Sequence, residues 1–351
     1  MRPLIKPALR RLWRNDTTLQ LGLDPQRAIV LAGLDEVQLR WVDRLDGSCD
    51  RLAWIAGAMA DGLTRSDAEH VLRVLEEGGA LEDASRPLGA IGDLPPDERD
   101  RLGPDLAALS LRTDAQVAIG RRQLGLVEVR GLGRVGALLC TLLAAAGVGH
   151  VVPVDPLPLR RADAAPGGPL PREAGIGRER AVRRAVQRVS SHTALHPADR
   201  APDVVLLAGD SPSGDPAQLL REGIPHLMAT LVETTGVVGP LVIPGVTACV
   251  RCLDLHRSER DPAWPRLAAQ LAAPTPTPTA CDVVLATTVA ATAVQQVLTL
   301  IDSGGTELPA AANGTLELAT PDWRFRRRSW APHPSCGCGW QQWAAQGTMT
   351  G

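Results

Sequence analysis

The sequence predicts a two-part protein, a small α+β domain of the winged helix-turn-helix type followed by a larger, doubly wound α/β domain. Three observations predict it. An apolar strand, a glycine turn, an apolar helix and a second strand ending in an acid run in that order from Leu124 to Asp155, which is the first half of a doubly wound unit. Two close cysteine pairs, Cys249 with Cys252 and Cys336 with Cys338, follow the sheet-forming segments and form the ligand set of a structural zinc. A hairpin pattern and three helical patterns fill the first eighty or so residues.

The hairpin is residues 18–32, TLQLGLDPQRAIVLA, where apolar and polar residues alternate on either side of DPQ. The three helices are marked by Leu39, Val42 and Leu45, by Leu52, Ile55 and Met59, and by Ala68, Val71, Leu72 and Leu75. Ser66 serves as N-cap of the third, with Gly78 and Gly79 as its stops. A short strand at ALED (80–83) closes the module, giving a first domain of residues 1–84. Modules of this kind bind DNA or a peptide. The third helix, RSDAEHVLRVLEEGG, carries as many acids as bases, so phosphate repulsion disfavours a groove-reading role and leaves peptide recognition or a structural part.

Residues 85–114 read as a linker and a helix that starts at Pro95 or Pro96. The α/β domain spans 115–345. After Asp155 come a helix from Arg178 to Val189, a strand at DVVLLAGD, a helix at PAQLLREG and strands at PHLMATLV and GVVGPLVIPG. PTPTPT at 274–279 is a stiff extended connector, followed by a long apolar helix at 283–301 and a hairpin, TLELATPDWRFRRRSW.

Composition narrows the chemistry. In 351 residues, 37 basic and 39 acidic side chains nearly cancel, so net charge argues for neither nucleic-acid nor membrane-surface binding. Lys6 is the only lysine and tyrosine is absent, which excludes a catalytic lysine or tyrosine in the body of the chain. The bias toward Arg, Ala, Leu, Gly and Pro is what a GC-rich genome encodes. Seven cysteines, an odd number with two close pairs, indicate metal ligation in a reducing, cytoplasmic setting rather than a disulfide framework. The N-terminus has no apolar run of signal-peptide length, and polar residues interrupt the apolar stretches at 137–154 and 283–301.

Gly131, Gly133 and Gly136 lie between strand and helix, where the first permits a tight turn, the second lets backbone approach a phosphate and the third allows close packing. Asp155 stands where a ribose hydroxyl finds an acceptor. Asp210, at the end of the next core strand, either holds Mg²⁺ on a triphosphate or caps the following helix. Cys249, Cys252, Cys336 and Cys338 bind Zn²⁺, with His333 as a substitute if one sulfur falls short. Cys281, between connector and long helix, is either an ordinary cysteine or a thiolate activated by the helix N-terminus. A nicotinamide-dependent dehydrogenase uses the same glycine turn, but its hydride-transfer partners are missing.

The ordered set GLGRVG, Asp155, GIGRERA (175–181), Asp210, CVRC, PTPTPTAC and RFRRRSWAPHPSCGC resembles the ThiF/MoeB/HesA family, the ubiquitin-activating-enzyme-like adenylyltransferases, over residues 115–340. The N-terminal module is similar to the PqqD-like elements that bind leader peptides. The resemblance implies a Rossmann-like fold with structural zinc, ATP over the glycine turn, Asp155 on its ribose and Mg²⁺ on Asp210. It implies attack of a peptide or small-protein carboxylate on the α-phosphate, and a homodimer. The family's lysine falls on Arg178 or Arg180, and its Asn-Leu-x-Arg segment on RADAAPGGP, where no arginine aligns and Arg160, Arg161 and Arg172 are neighbours. Arginine is a planar fork rather than a compact ammonium. The same resemblance allows an inactive leader-binding scaffold for a partner such as a YcaO cyclodehydratase.

Overall fold

The computed structural model describes residues 1–209, 215–271 and 280–339, and the chain divides into two compact units, Met1–Ile119 and Gly120–Gly351. The first unit contains β1 (Pro3–Ile5), β2 (Arg11–Asn15), β3 (Thr18–Leu21), β4 (Ile29–Leu31), α1 (Glu36–Asp43), α2 (Arg51–Ala60), α3 (Arg65–Glu77), β5 (Leu81–Asp83), α4 (Gly89–Gly92) and α5 (Pro96–Ser110). Helix α6 (Ala115–Leu124) runs across the division.

The expected hairpin forms as β3 and β4, and a strand that periodicity did not mark, β2, joins it in an antiparallel sheet of order β2-β3-β4. The ALED strand does not close that sheet: β5 pairs with β1, Leu4 opposite Glu82, in a separate two-stranded ribbon. Two local expectations are corrected. Thr64, not Ser66, caps α3, its hydroxyl accepting the Asp67 N–H. Leu52 and Met59 of α2 are exposed, and the face that packs inward is Trp54, Ile55 and Ala58. Trp54 fixes that choice, because its indole N–H donates to the Trp41 carbonyl at 3.0 Å and its ring meets Trp41 edge-on at 5.8 Å. The single lysine, Lys6, is structural, its ammonium donating to the Ser110 carbonyl at 2.6 Å.

The second unit contains β6 (Leu126–Arg130), α7 (Arg134–Ala145), β7 (His150–Val154), α8 (Arg178–Gln187), β8 (Val204–Ala208), α9 (Pro216–Arg221), β9 (His226–Val232), β10 (Thr235–Val242), α10 (Val250–Arg260), α11 (Trp264–Leu271), α12 (Val283–Asp302), β11 (Gly314–Ala319) and β12 (Arg324–Ser329). One seven-stranded sheet has the order β12-β11-β10-β9-β8-β6-β7. Strands β7, β6, β8 and β9 are parallel, and β10, β11 and β12 add antiparallel neighbours. Short apolar runs such as VVLLA in β8 are buried throughout, as strands covered on both faces must be. From β6 the chain goes to β7 on one side and later returns to β8 on the other, so the loop after β6 lies at the switch point where open α/β sheets bind ligands.

Helix α12 is, among the described residues, the one helix long and apolar enough to cross a membrane by length and composition. It is a core helix. Asp282 caps it through the N–H groups of Val284 and Leu285, and Ala286, Val289, Ala290, Ala293 and Val297 bury their side of it with the strands and α7 in one continuous core. Its C-terminal end is held by a buried fork: Arg122 donates through Nε and Nη2 to the two Asp302 oxygens, each at 2.7 Å, and through Nη1 to the Ala146 carbonyl. Removing the cation strands a largely buried carboxylate. Arg122→Ala is expected to lower the stability of the second unit by about 3–5 kcal/mol in urea unfolding, whereas Arg65→Ala, which breaks an exposed pair with Glu69, changes that of the first by less than about 0.5 kcal/mol.

Candidate functional site

The glycine turn has the conformation its residue types require. Gly131 has φ of +87°, open to glycine at no steric cost. A Cβ on Gly136 would lie 1.8 Å from the Gly131 carbonyl oxygen, so the third glycine is demanded by contact. Gly133 differs: a Cβ there meets nothing within 4 Å, and the residue is the N-cap of α7. Its open side faces a cleft of about 120 Å³ lined by Gly133, Arg134, Val135, Gly136, Arg160, Ala162, Asp163, Ala208, Gly209, Leu231 and Cys281. First-turn N–H groups of a twelve-residue helix and two arginines converge there, a setting for an anion.

Asp155 is at the end of the second strand as expected, but it is turned into the protein. Its side chain is fully buried; Oδ2 accepts from Leu132 N–H at 2.7 Å and Arg178 Nη1 at 2.9 Å, and Oδ1 accepts from Leu157 N–H at 3.0 Å. Arg178, buried at the first position of α8, also donates through Nε and Nη2 to Asp163 Oδ2 at 3.1 and 2.9 Å. Arg160 completes the network with Nη2 2.9 Å from Asp163 Oδ1. Burial raises the Asp163 pKa, yet the hydrogen bonds from Arg160 and Arg178 outweigh it and hold the carboxyl below its ordinary value.

Arg180, the other candidate on α8, is exposed and outside the cleft lining. Asp210 lies outside the described residues. Cys281 does line the cleft, and its carbonyl accepts from Arg134 Nη1. Three contributors escaped the sequence reading. Arg134, whose Nε and Nη2 hold the Ala162 carbonyl, sat in a variable position of the glycine motif; Asp163 and the role of Arg160 had no spacing signal.

The four cysteines converge. Cys249 Sγ is 3.8 Å from Cys252 and 3.5 Å from Cys336, and Cys252 is 3.7 Å from Cys338. A tetrahedron with metal–sulfur bonds of about 2.3 Å has edges of about 3.8 Å, so the spacing fits Zn²⁺. The Cys252 thiol is pulled below its ordinary value chiefly by a hydrogen bond from the Cys249 thiol. His333 is not needed as a ligand. It is buried beside the site, with Nδ1 accepting Ser335 N–H and Nε2 2.9 Å from Glu259, in a cluster with His256. His256 Nε2 donates to the Ala331 carbonyl.

No protein-family model matches the chain, and no curated protein sequence does. Solved structures show its fold, which is that of MccB from E. coli. The MccB structure with ATP superposes with a TM-score of 0.71 at 13% identity over 96% of this chain and 99% of that one. The microcin C7 biosynthetic enzyme MccB in complex with N-formylated MccA gives 0.70 at 14%, covering 97% and 100%. PaaA gives 0.70 at 15%, covering 93% and 99%.

Two outcomes follow from the geometry. The depressed Asp163 pKa contributes stability that is present above the ordinary Asp value of 3.8 and is lost as pH falls through the folded-state value; Asp163→Asn is expected to flatten that acid limb in pH-dependent thermal unfolding. The chain is expected to carry one Zn²⁺, released by a thiol-modifying mercurial, and Cys252→Ser is expected to lose it and lower the melting temperature, read by metal analysis and calorimetry.

Proposed function

We propose that the chain is an ATP-dependent adenylyltransferase that activates a carboxylate of a peptide or small protein in the making of a ribosomally derived peptide product. One observation carries this reading: a glycine turn with an open central glycine and two cleft arginines, at the switch point of a fold shared with a protein solved with ATP and with a peptide. The α7 N–H groups bind the polyphosphate and Arg134 and Arg160 offset its charge; Asp210 would hold Mg²⁺, which would supply further neutralisation of the phosphate charge. A carboxylate oxygen attacks the α-phosphorus, the bond to the bridging oxygen of the β-phosphate breaks, and acyl-adenylate and pyrophosphate result with no proton transferred. Positioning and charge neutralisation supply the rate. Zn²⁺ on the four cysteines ties α10 to the C-terminal segment and takes no part in the chemistry.

Residues 1–84 are proposed as the peptide-recognition domain, where no strand among the described residues pairs the outer edges of β2 and β4 in the sheet β2-β3-β4, leaving them for an added strand. A homodimer is the proposed assembly, with no nucleic-acid partner. A second reading has one observation in its favour, the burial of Arg178 in ion pairs where the family's lysine serves: a scaffold that binds a leader peptide for a separate modifying enzyme without turning ATP over.

Pyrophosphate exchange into ATP, stimulated by a candidate peptide, is the expected result with the full chain; peptide binding with no exchange favours the scaffold. Gly133→Val, which has room for its side chain in the fold but fills the phosphate space, is expected to keep its melting temperature within about 2 °C while weakening ATP binding at least tenfold, read by calorimetry.

A further inference from the structure

We propose that Arg178 makes the cleft blind to the ribose, so that its nucleotide is chosen without reference to the 2′- and 3′-hydroxyls. This inference rests on the adenylating reading and concerns what that site selects. A sugar is read in such a fold by a carboxylate at the end of the second strand, able to accept from the ribose hydroxyls. Here Asp155 has that position but not that freedom. It is buried and outside the cleft lining, with three donors on its two oxygens.

Asp163 is the carboxylate that does line the cleft among the described residues, and it too is engaged. Its Oδ2 accepts from Arg160 N–H at 2.9 Å and from Arg178 Nε and Nη2, while its Oδ1 accepts from Arg160 Nε at 3.2 Å and Nη2. A neutral hydroxyl does not displace a buried guanidinium from two carboxylates, because charge-assisted bonds are the stronger and the freed acids would remain out of water. Lysine at this position, a single ammonium point, is unable to form a fork across both acids. The phosphate side of the cleft meets this network only through Arg160, which pairs with Asp163; Gly133 stays open and Arg134 is held by carbonyls.

The test is calorimetric titration of the full chain, in Mg²⁺, with ATP, 2′-deoxy-ATP, 3′-deoxy-ATP and tripolyphosphate. The three nucleotides are expected to bind within about twofold of one another, whereas a sugar hydroxyl read by a carboxylate is worth about tenfold or more; a tenfold loss with either deoxynucleotide overturns the proposal. Arg178→Lys, which keeps the charge and loses the fork, is expected to bring in a preference for ATP of at least fivefold. If it binds nucleotide and the ratio stays at one, Arg178 is not the determinant and the assignment falls; if it does not fold, the wild-type ratio decides alone. Failure of all four ligands to bind overturns the nucleotide reading of the cleft and this inference with it. Equal binding of the nucleotides without pyrophosphate exchange overturns the adenylating activity and leaves ribose blindness standing.

Discussion

The second unit is organised around the buried carboxylate of Asp155. One oxygen holds the Leu132 N–H inside the glycine turn and the other holds the Leu157 N–H, while Arg178 brings the start of α8 to the same point. The Asp155 N–H is itself bonded by Glu179 of α8. Three segments that are distant in the chain therefore share one anion, and the guanidinium that neutralises it extends the constraint to Asp163 on the cleft wall. Buried charges of this kind confer little net stability over an apolar replacement, but each is costly to leave unpaired. The network acts on geometry: it sets where the turn, the cleft wall and α8 meet, and that meeting defines the cleft.

The cysteine cluster fixes a different part of the unit in the same manner. Its sulfurs come from the first turn of α10 and from a C-terminal segment some eighty residues later, around which Cys249, Cys252 and Cys336 form a small core with Trp330. The His256, Glu259 and His333 contacts and the cations of Arg257 and Arg260 over Trp330 lie beside it. The four sulfurs have the spacing of a closed tetrahedral metal site, and a metal held there would add a constraint to that small core. The glycine turn and the four sulfurs are thus separate: one borders the cleft, and the other lies in its own small core.

What was legible in the sequence was local. The glycine turn could be read because steric demand at Gly131 and Gly136 acts within a few residues, and the cysteine pairs because ligand spacing is a short-range property. Long apolar strands and α12 were legible from periodicity. The pairing of β1 with β5 was not, since three-residue strands carry no period and their partners lie about eighty residues apart. The same holds for the face of α2, where Leu52 and Met59 fit the helical pattern equally well until Trp54 found the Trp41 carbonyl.

By itself the sequence determined the order of elements, the turn, the four sulfurs and the presence of arginine where a lysine stands in the proteins it resembles. Only the tertiary structure decided what that arginine does. Asp155 and Asp163 are 23 and 15 residues from Arg178, and nothing in their spacing says whether a strand-end acid faces a ligand or a cation. That choice depends on burial, because a carboxylate removed from water takes the strongest donor within reach, and which donor is within reach is a property of the folded chain.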